Sequence, residues 1–263
     1  MGVEGTVVVI TGGAAGVGRY ISRNFAAAGA KVVVADISPM DTVLGEVSAL
    51  GGEGIGVTTD VSNEDSVRHL FDEVYRKYGR IDTLINDAGI VTHFHVGSPR
   101  WSRIRDMNRD FFAKVLETNL FGTFLCCKHA IPYMESLGAG HIINFGQGNV
   151  SRKTGPVSIG ACAYHTSKVA IRAFTIDLAE EERDFGICIM SMGPGSSSNA
   201  APGEHAVGGI VTDDSPAWVR DPSVRGTDVD KVGDRYLLAA QADMSFSGAQ
   251  VSLRGGQLVV VED

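Results

Sequence analysis

The stretch from Thr6 to Asp36 restricts the fold more than any other. Thr6-Val7-Val8-Val9-Ile10 is a β-branched run without polar alternation, the pattern of a strand buried on both faces of a parallel sheet. Thr11-Gly12-Gly13-Ala14-Ala15-Gly16-Val17-Gly18 follows at once, and Tyr20, Ile21, Phe25, Ala26 and Ala28 then recur at helical spacing until Gly29. A strand, a glycine-rich turn and a helix in that order aim backbone N–H groups and a helix N-terminus at a phosphate. The second strand, Lys31 to Ala35, ends in Asp36, 18 residues beyond Gly18. An acid there accepts hydrogen bonds from ribose hydroxyls and repels a 2′-phosphate. Neither Ala15 nor Ile37 supplies a base to offset that repulsion. The stretch predicts a dinucleotide site that prefers NAD.

The alternation continues along the chain. Helical patterns cover Pro39 to Leu50, Glu64 to Tyr78 behind an Asn63 cap, Arg109 to Leu137 with a kink expected near Pro132, and 162–184. Strand patterns cover Gly54 to Thr59, Ile81 to Ile85, His141 to Phe145 and Ile187 to Met192. Strands alternating with helices predict an α/β fold, a doubly wound parallel sheet flanked by helices. With no internal repeat or linker in sight, residues 1–263 read as a single domain. Two polar stretches, 92–108 and 196–227, break the rhythm near strand C-terminal ends and read as substrate loops.

Near the middle stands Tyr164-His165-Thr166-Ser167-Lys168, opening an apolar-periodic run. On a helix, i and i+4 share a face, so the Lys168 ammonium is expected to lower the Tyr164 pKa and ready it for proton transfer at an alcohol or carbonyl. Cys126, Cys127, Cys162 and Cys188 show neither metal spacing nor a secreted framework and read as reduced thiols. His93 and His95 lack a third ligand, so no metal is expected. A net charge of −8 suggests no nucleic-acid partner. No basic leader or bilayer-length apolar run is evident, so no membrane association and a cytoplasmic setting are expected.

Together these residues resemble the short-chain dehydrogenase/reductase family over essentially the whole chain. Thr11-Gly12 with Gly16, Val17 and Gly18 is similar to its TGxxxGxG cofactor turn. Asp60, followed by Val61, resembles the acid that contacts adenine. Asn86-Asp87-Ala88-Gly89 resembles NNAG with one Asn→Asp change, Tyr164 and Lys168 match YxxxK, and Pro194-Gly195 matches the PG after the sixth strand. Ser247 through Gly256 resembles the C-terminal strand and its trailing GG, with Arg254 where the family often has an Asp. The resemblance implies a Rossmann-like, NAD(P)-dependent oxidoreductase acting on a secondary alcohol or ketone, commonly a homodimer or homotetramer. It implies that Gly12, Gly16, Val17, Gly18, Asp36, Asp60, Val61, Asn86, Ala88, Gly89, Pro194 and Gly195 bind the cofactor together with Tyr164 and Lys168. It gives Tyr164 the acid/base role, Lys168 the grip on the nicotinamide ribose and Asn119 a water in the proton relay.

The family's substrate-steadying Ser does not carry over cleanly. Where the family reads NxSS, this chain reads Asn144-Phe145-Gly146-Gln147. Gln147 occupies the second Ser position, and its amide can donate a hydrogen bond. Ser151 lies at a common family spacing from Tyr164, so both remain candidates. The missing Ser leaves an alternative open: a catalytically impaired or non-redox relative that retains the dinucleotide site.

Overall fold

In a computed structural model, residues 2–90, 103–146, 162–193 and 232–261 are described. The strands are β1 Val7–Thr11, β2 Lys31–Asp36, β3 Glu53–Thr58, β4 Thr83–Asn86, β5 Gly140–Asn144, β6 Ile187–Met192, β7 Gln250–Arg254 and β8 Gln257–Val260. They form one sheet in the order β3-β2-β1-β4-β5-β6-β7-β8. Every pairing is parallel except β7 with β8, an antiparallel hairpin turned by Gly255 and Gly256, both at positive φ. The expected C-terminal strand is therefore β7, and its trailing glycines carry the chain into an unforeseen β8. The order reverses between β1 and β4, which leaves a crevice beyond the strand C-terminal ends.

The helices are α1 Gly16–Ala27, α2 Asp41–Ala49, α3 Glu64–Tyr78, α4 Arg109–Leu116, α5 Gly122–Leu137, α6 Cys162–Glu181 and α7 Val232–Ala239. Successive side chains of a strand point to opposite faces. Val8 and Ile10 accordingly join a core with Ile21, Phe25 and Tyr236, while Val7 and Val9 join another with Leu70, Phe71 and Ile131. Both sheet faces are covered, which is why the early strands read as unbroken apolar runs.

Two local signals behave as their chemistry requires. Asn63 caps α3 by accepting from the Ser66 N–H, and Gly79 ends it in the left-handed conformation. The expected single helix from Arg109 to Leu137 is instead broken by a π-helical turn, Glu117–Phe121, between α4 and α5. Pro132 lies inside α5, but the irregularity is at Asn119. Such turns insert one extra residue and often mark functional positions.

Candidate active site

The glycine-rich turn is shaped by close backbone approach. A Cβ at Gly12, where φ is +69°, would lie 2.8 Å from the Ala88 Cα, and one at Gly18 would lie 2.3 Å from the Gly12 carbonyl oxygen. Gly16, at φ +52°, faces open space. The N-terminus of α1 has no side-chain cap and no acid in its first turn. Its N–H groups thus meet a cradle that fits the pyrophosphate of a dinucleotide. Thr11 fastens the turn to the next strand exit by accepting a hydrogen bond from the Ala88 N–H at 3.2 Å. Asp36 accepts from the Ala14 N–H at 3.0 Å and from the Ser38 N–H at 2.9 Å, which fixes its carboxylate beside the turn.

The other expected cofactor residues divide by role. Asp60 is exposed, and its carboxylate accepts from the Ser62 hydroxyl and N–H, which holds its pKa below the usual range. Val61 is buried with its side chain against Gly122, so only its backbone is placed to meet a ligand. Asn86 is also buried. Its amide donates to the Asn144 Oδ1 at 2.8 Å and to the Cys127 Sγ at 3.4 Å, so its side chain serves the core. Asn144 in turn donates to the Thr175 hydroxyl of α6 at 3.0 Å. Pro194, Gly195, Gln147 and Ser151 lie outside the described residues, as do His93 and His95.

Asn119 is fully buried in the π-turn. Its Oδ1 accepts from the Ile90 N–H at 2.7 Å, while its amide donates to the Ile90 carbonyl and to the Ser167 hydroxyl. Ser167 then donates to the Tyr164 carbonyl at 2.7 Å. Asn119 therefore braces the strand-β4 exit against the helix that carries Tyr164. Both of its amide hydrogens are used in that brace. Ser167, the bridging hydroxyl, was not foreseen, although its place inside the YxxxK segment was visible.

Tyr164 and Lys168 share one face of α6, as the spacing predicts. The Lys168 Nζ lies over the Tyr164 ring at 5.4 Å and over the Phe145 ring at 5.5 Å from each centroid. Phe145 stacks on Tyr236 with centroids 5.7 Å apart. The expected lowering of the tyrosine pKa is reversed: burial, and then the charge of Asp87, push it up. Burial draws the Lys168 pKa down to about 8 against the opposing pull of Asp87. Burial raises the Asp87 carboxyl to about 7, against the stabilising effects of Lys168 and the Gly18 N–H.

Asp87 is thus the influential residue that sequence reasoning named but gave no role. Its only signal was the Asn→Asp departure. Gly146, in the first Ser position of NxSS, also has a reason. A Cβ there would lie 3.1 Å from the Ser191 Cβ and 3.3 Å from the Ile171 Cγ2, so β6 and α6 leave little room. Among the described residues no cluster of His, Cys, Asp or Glu could hold a metal, and no helix is long and apolar enough to cross a membrane. All four cysteines are free.

Comparison with known proteins agrees with this geometry. A family model for short chain dehydrogenase matches residues 6–203. Secoisolariciresinol dehydrogenase of Forsythia intermedia is 35% identical over 73% of this chain and 66% of its own length. Cis-4-hydroxycyclohexanecarboxylate dehydrogenase of Sinomonas cyclohexanicum is 29% identical over 97% of each chain. The crystal structure of a short chain dehydrogenase from Mycobacterium avium superposes with a TM-score of 0.77 at 26% identity, covering 99% of this chain and 86% of that one. The chain belongs to the short-chain dehydrogenase/reductase family of oxidoreductases.

Proposed function

We propose that this oxidoreductase moves a hydride between NAD and a secondary alcohol or ketone, with Tyr164 carrying the proton. The observation that carries the reading is the placement of Tyr164 and Lys168. They share one face of α6, and the Asp87 carboxylate whose charge acts on both lies beside Gly18 of the glycine-rich turn. The dinucleotide supplies the hydride acceptor or donor when bound. Gly12, Gly16, Val17 and Gly18 would hold its pyrophosphate, with the backbone at Val61 and Ala88 flanking it. Lys168 would reach its ribose.

Asp36 supports NAD over NADP. Its carboxylate is held by two backbone N–H groups, and Ile37 beside it is exposed and uncharged. A 2′-phosphate at contact distance from that charge would lose on the order of a few kcal/mol. The cyclic alcohol in the name of the Sinomonas relative agrees with a ring-bearing substrate, which the aromatic and Arg side chains of the polar loops also suit.

The chemistry follows from protonation states. With its pKa raised, Tyr164 is protonated near neutral pH and ready to donate to a carbonyl oxygen. At saturating dinucleotide, reduction should therefore hold steady through neutral pH, whereas alcohol oxidation, which needs the phenolate, should accelerate as pH rises. A hydrogen bond from Gln147 or Ser151 is assigned to steady the substrate oxygen. Tyr164→Phe removes the proton carrier and should lower kcat/KM by roughly 10²–10⁴-fold, measured on a panel of cyclic secondary alcohols and ketones. Ser151→Ala and Gln147→Ala should each be compared with it, and the true donor should cost a smaller factor. A Tyr164→Phe enzyme that turns over an identified substrate at the native rate would remove the mechanism and restore the impaired or non-redox reading.

A further inference from the structure

Asp87 is a carboxyl where the family motif carries an amide. It lies at the exit of β4, with its carboxylate beside Gly18 in the first turn of α1. A Cβ on Gly18 would lie 2.9 Å from the Asp87 Oδ2, so the carboxylate is pressed against that turn. The same N-terminus forms the uncapped cradle that fits a pyrophosphate. A negative side chain has therefore been built into a site for a negative ligand.

Among the described residues, the groups that act on Asp87 come from several elements. Lys168 of α6 attracts its charge, and Asp36 of β2 repels it. Tyr164 of α6 and Tyr236 of α7 both feel it. Tyr236 is fully buried, and its hydroxyl has no partner among the described residues. Arg235 also acts on Tyr236.

Resting on the dinucleotide reading above, we infer that Asp87 makes cofactor binding proton-linked: the carboxyl takes up a proton when the dinucleotide occupies the turn. Two effects act in the same direction. A bound polyanion at the N-terminus of α1 repels the carboxylate, and the covered crevice removes water that would solvate it. The carboxyl is neutral below its pKa in either state. The free protein releases that proton near pH 7, and the complex holds it to higher pH. Binding therefore absorbs a proton in the window above neutrality, and affinity falls as pH rises through it. Protonation also removes the counter-charge of Lys168 and the repulsion on Tyr164, so occupancy of the turn is transmitted to the proton carrier.

Calorimetric titration with NADH in buffers of different ionisation enthalpy counts the protons directly. Uptake approaching one proton is expected between pH 7 and 8, with the dissociation constant rising roughly threefold to tenfold per pH unit. Asp87→Asn restores the amide at nearly equal volume, and it should bind NADH with a flat pH dependence and little uptake. Infrared difference spectra separate the carboxyl from Lys168. A protonated-carboxyl C=O band should appear when NADH binds the native protein and be missing in the variant. Binding without proton uptake, or uptake without that band, overturns the assignment while leaving the dinucleotide site intact. Failure of both forms to bind NADH at any pH would remove the site and the inference together.

Discussion

The Asn86–Asn144 pair joins β4 to β5, and Asn144 joins the sheet to α6, so its loss should be felt in stability before chemistry. The two residues face each other in register across the parallel strands. Asn86 is 3% exposed and Asn144 0%. The pair is unequal. Asn144 uses both ends of its amide, accepting from Asn86 and donating to Thr175. Asn86 donates to Asn144 and Cys127, but its own Oδ1 has no partner among the described residues. Asn144→Ala therefore strips the Asn86 amide of its oxygen acceptor and the Thr175 hydroxyl of its donor. At roughly 1–3 kcal/mol for a buried polar group left unmet, about 3 kcal/mol is expected. Asn86→Ala also deletes an unsatisfied oxygen, which offsets part of the cost and leaves about 1–2 kcal/mol. With roughly 2–4 °C of melting temperature per kcal/mol in a domain of this size, Asn144→Ala should melt about 6–12 °C lower. Urea unfolding at one fixed protein concentration is the assay, because any assembly would add its own stability. The double variant should cost less than the two singles together by about 1 kcal/mol, since both remove the same bond. Equal losses from the two singles, or simple additivity, would show that the network is not the one described.

Three further outcomes follow from the same geometry. Gly18→Ala drives a Cβ to 2.3 Å from the Gly12 carbonyl; forcing backbone apart at such a contact typically costs about 1–3 kcal/mol, and NADH titration should show weakened binding. Asp36→Ala combined with Ile37→Arg should relax or reverse the preference for NAD in paired titrations, and native protein that binds NADP as tightly as NAD would contradict the role given to Asp36. Phe121, Phe124 and Ile176 stand 55%, 41% and 47% exposed, more apolar surface than two helices of a monomer usually show, so a homodimer or homotetramer is expected; light scattering at micromolar concentration tests it, and Phe124→Asp should shift the mass toward the monomer.

The sheet was legible because its strands are buried on both faces, so β1, β2 and β6 read as continuous apolar runs with bounds within one residue. What the sequence hid were local departures whose cause lies far along the chain. The π-turn at Asn119 has no signal among Glu117 to Phe121. It lets Asn119 meet Ile90 and Ser167, residues 29 and 48 positions away. The short β8 was missed because Gly255-Gly256 ends one strand pattern and turns the next, and the two uses look alike in sequence.

The candidate site was legible as a set of residues but not as a set of charges. Spacing alone put Tyr164 and Lys168 on one helical face, and that held. It could not show that the Lys168 ammonium would rest over the rings of Tyr164 and Phe145, or that burial would dominate at the phenol. Distance along a helix fixes which side chains meet, whereas the sign of a pKa shift depends on which atoms meet and how much water remains. Here the deciding group, Asp87, arrives from another strand and acts on both partners in opposite ways, supporting the cation and opposing the phenolate. The one-letter change from the family motif at position 87 is small on the page. In the fold it stands beside the glycine-rich turn, and its charge acts on Lys168 and Tyr164 together.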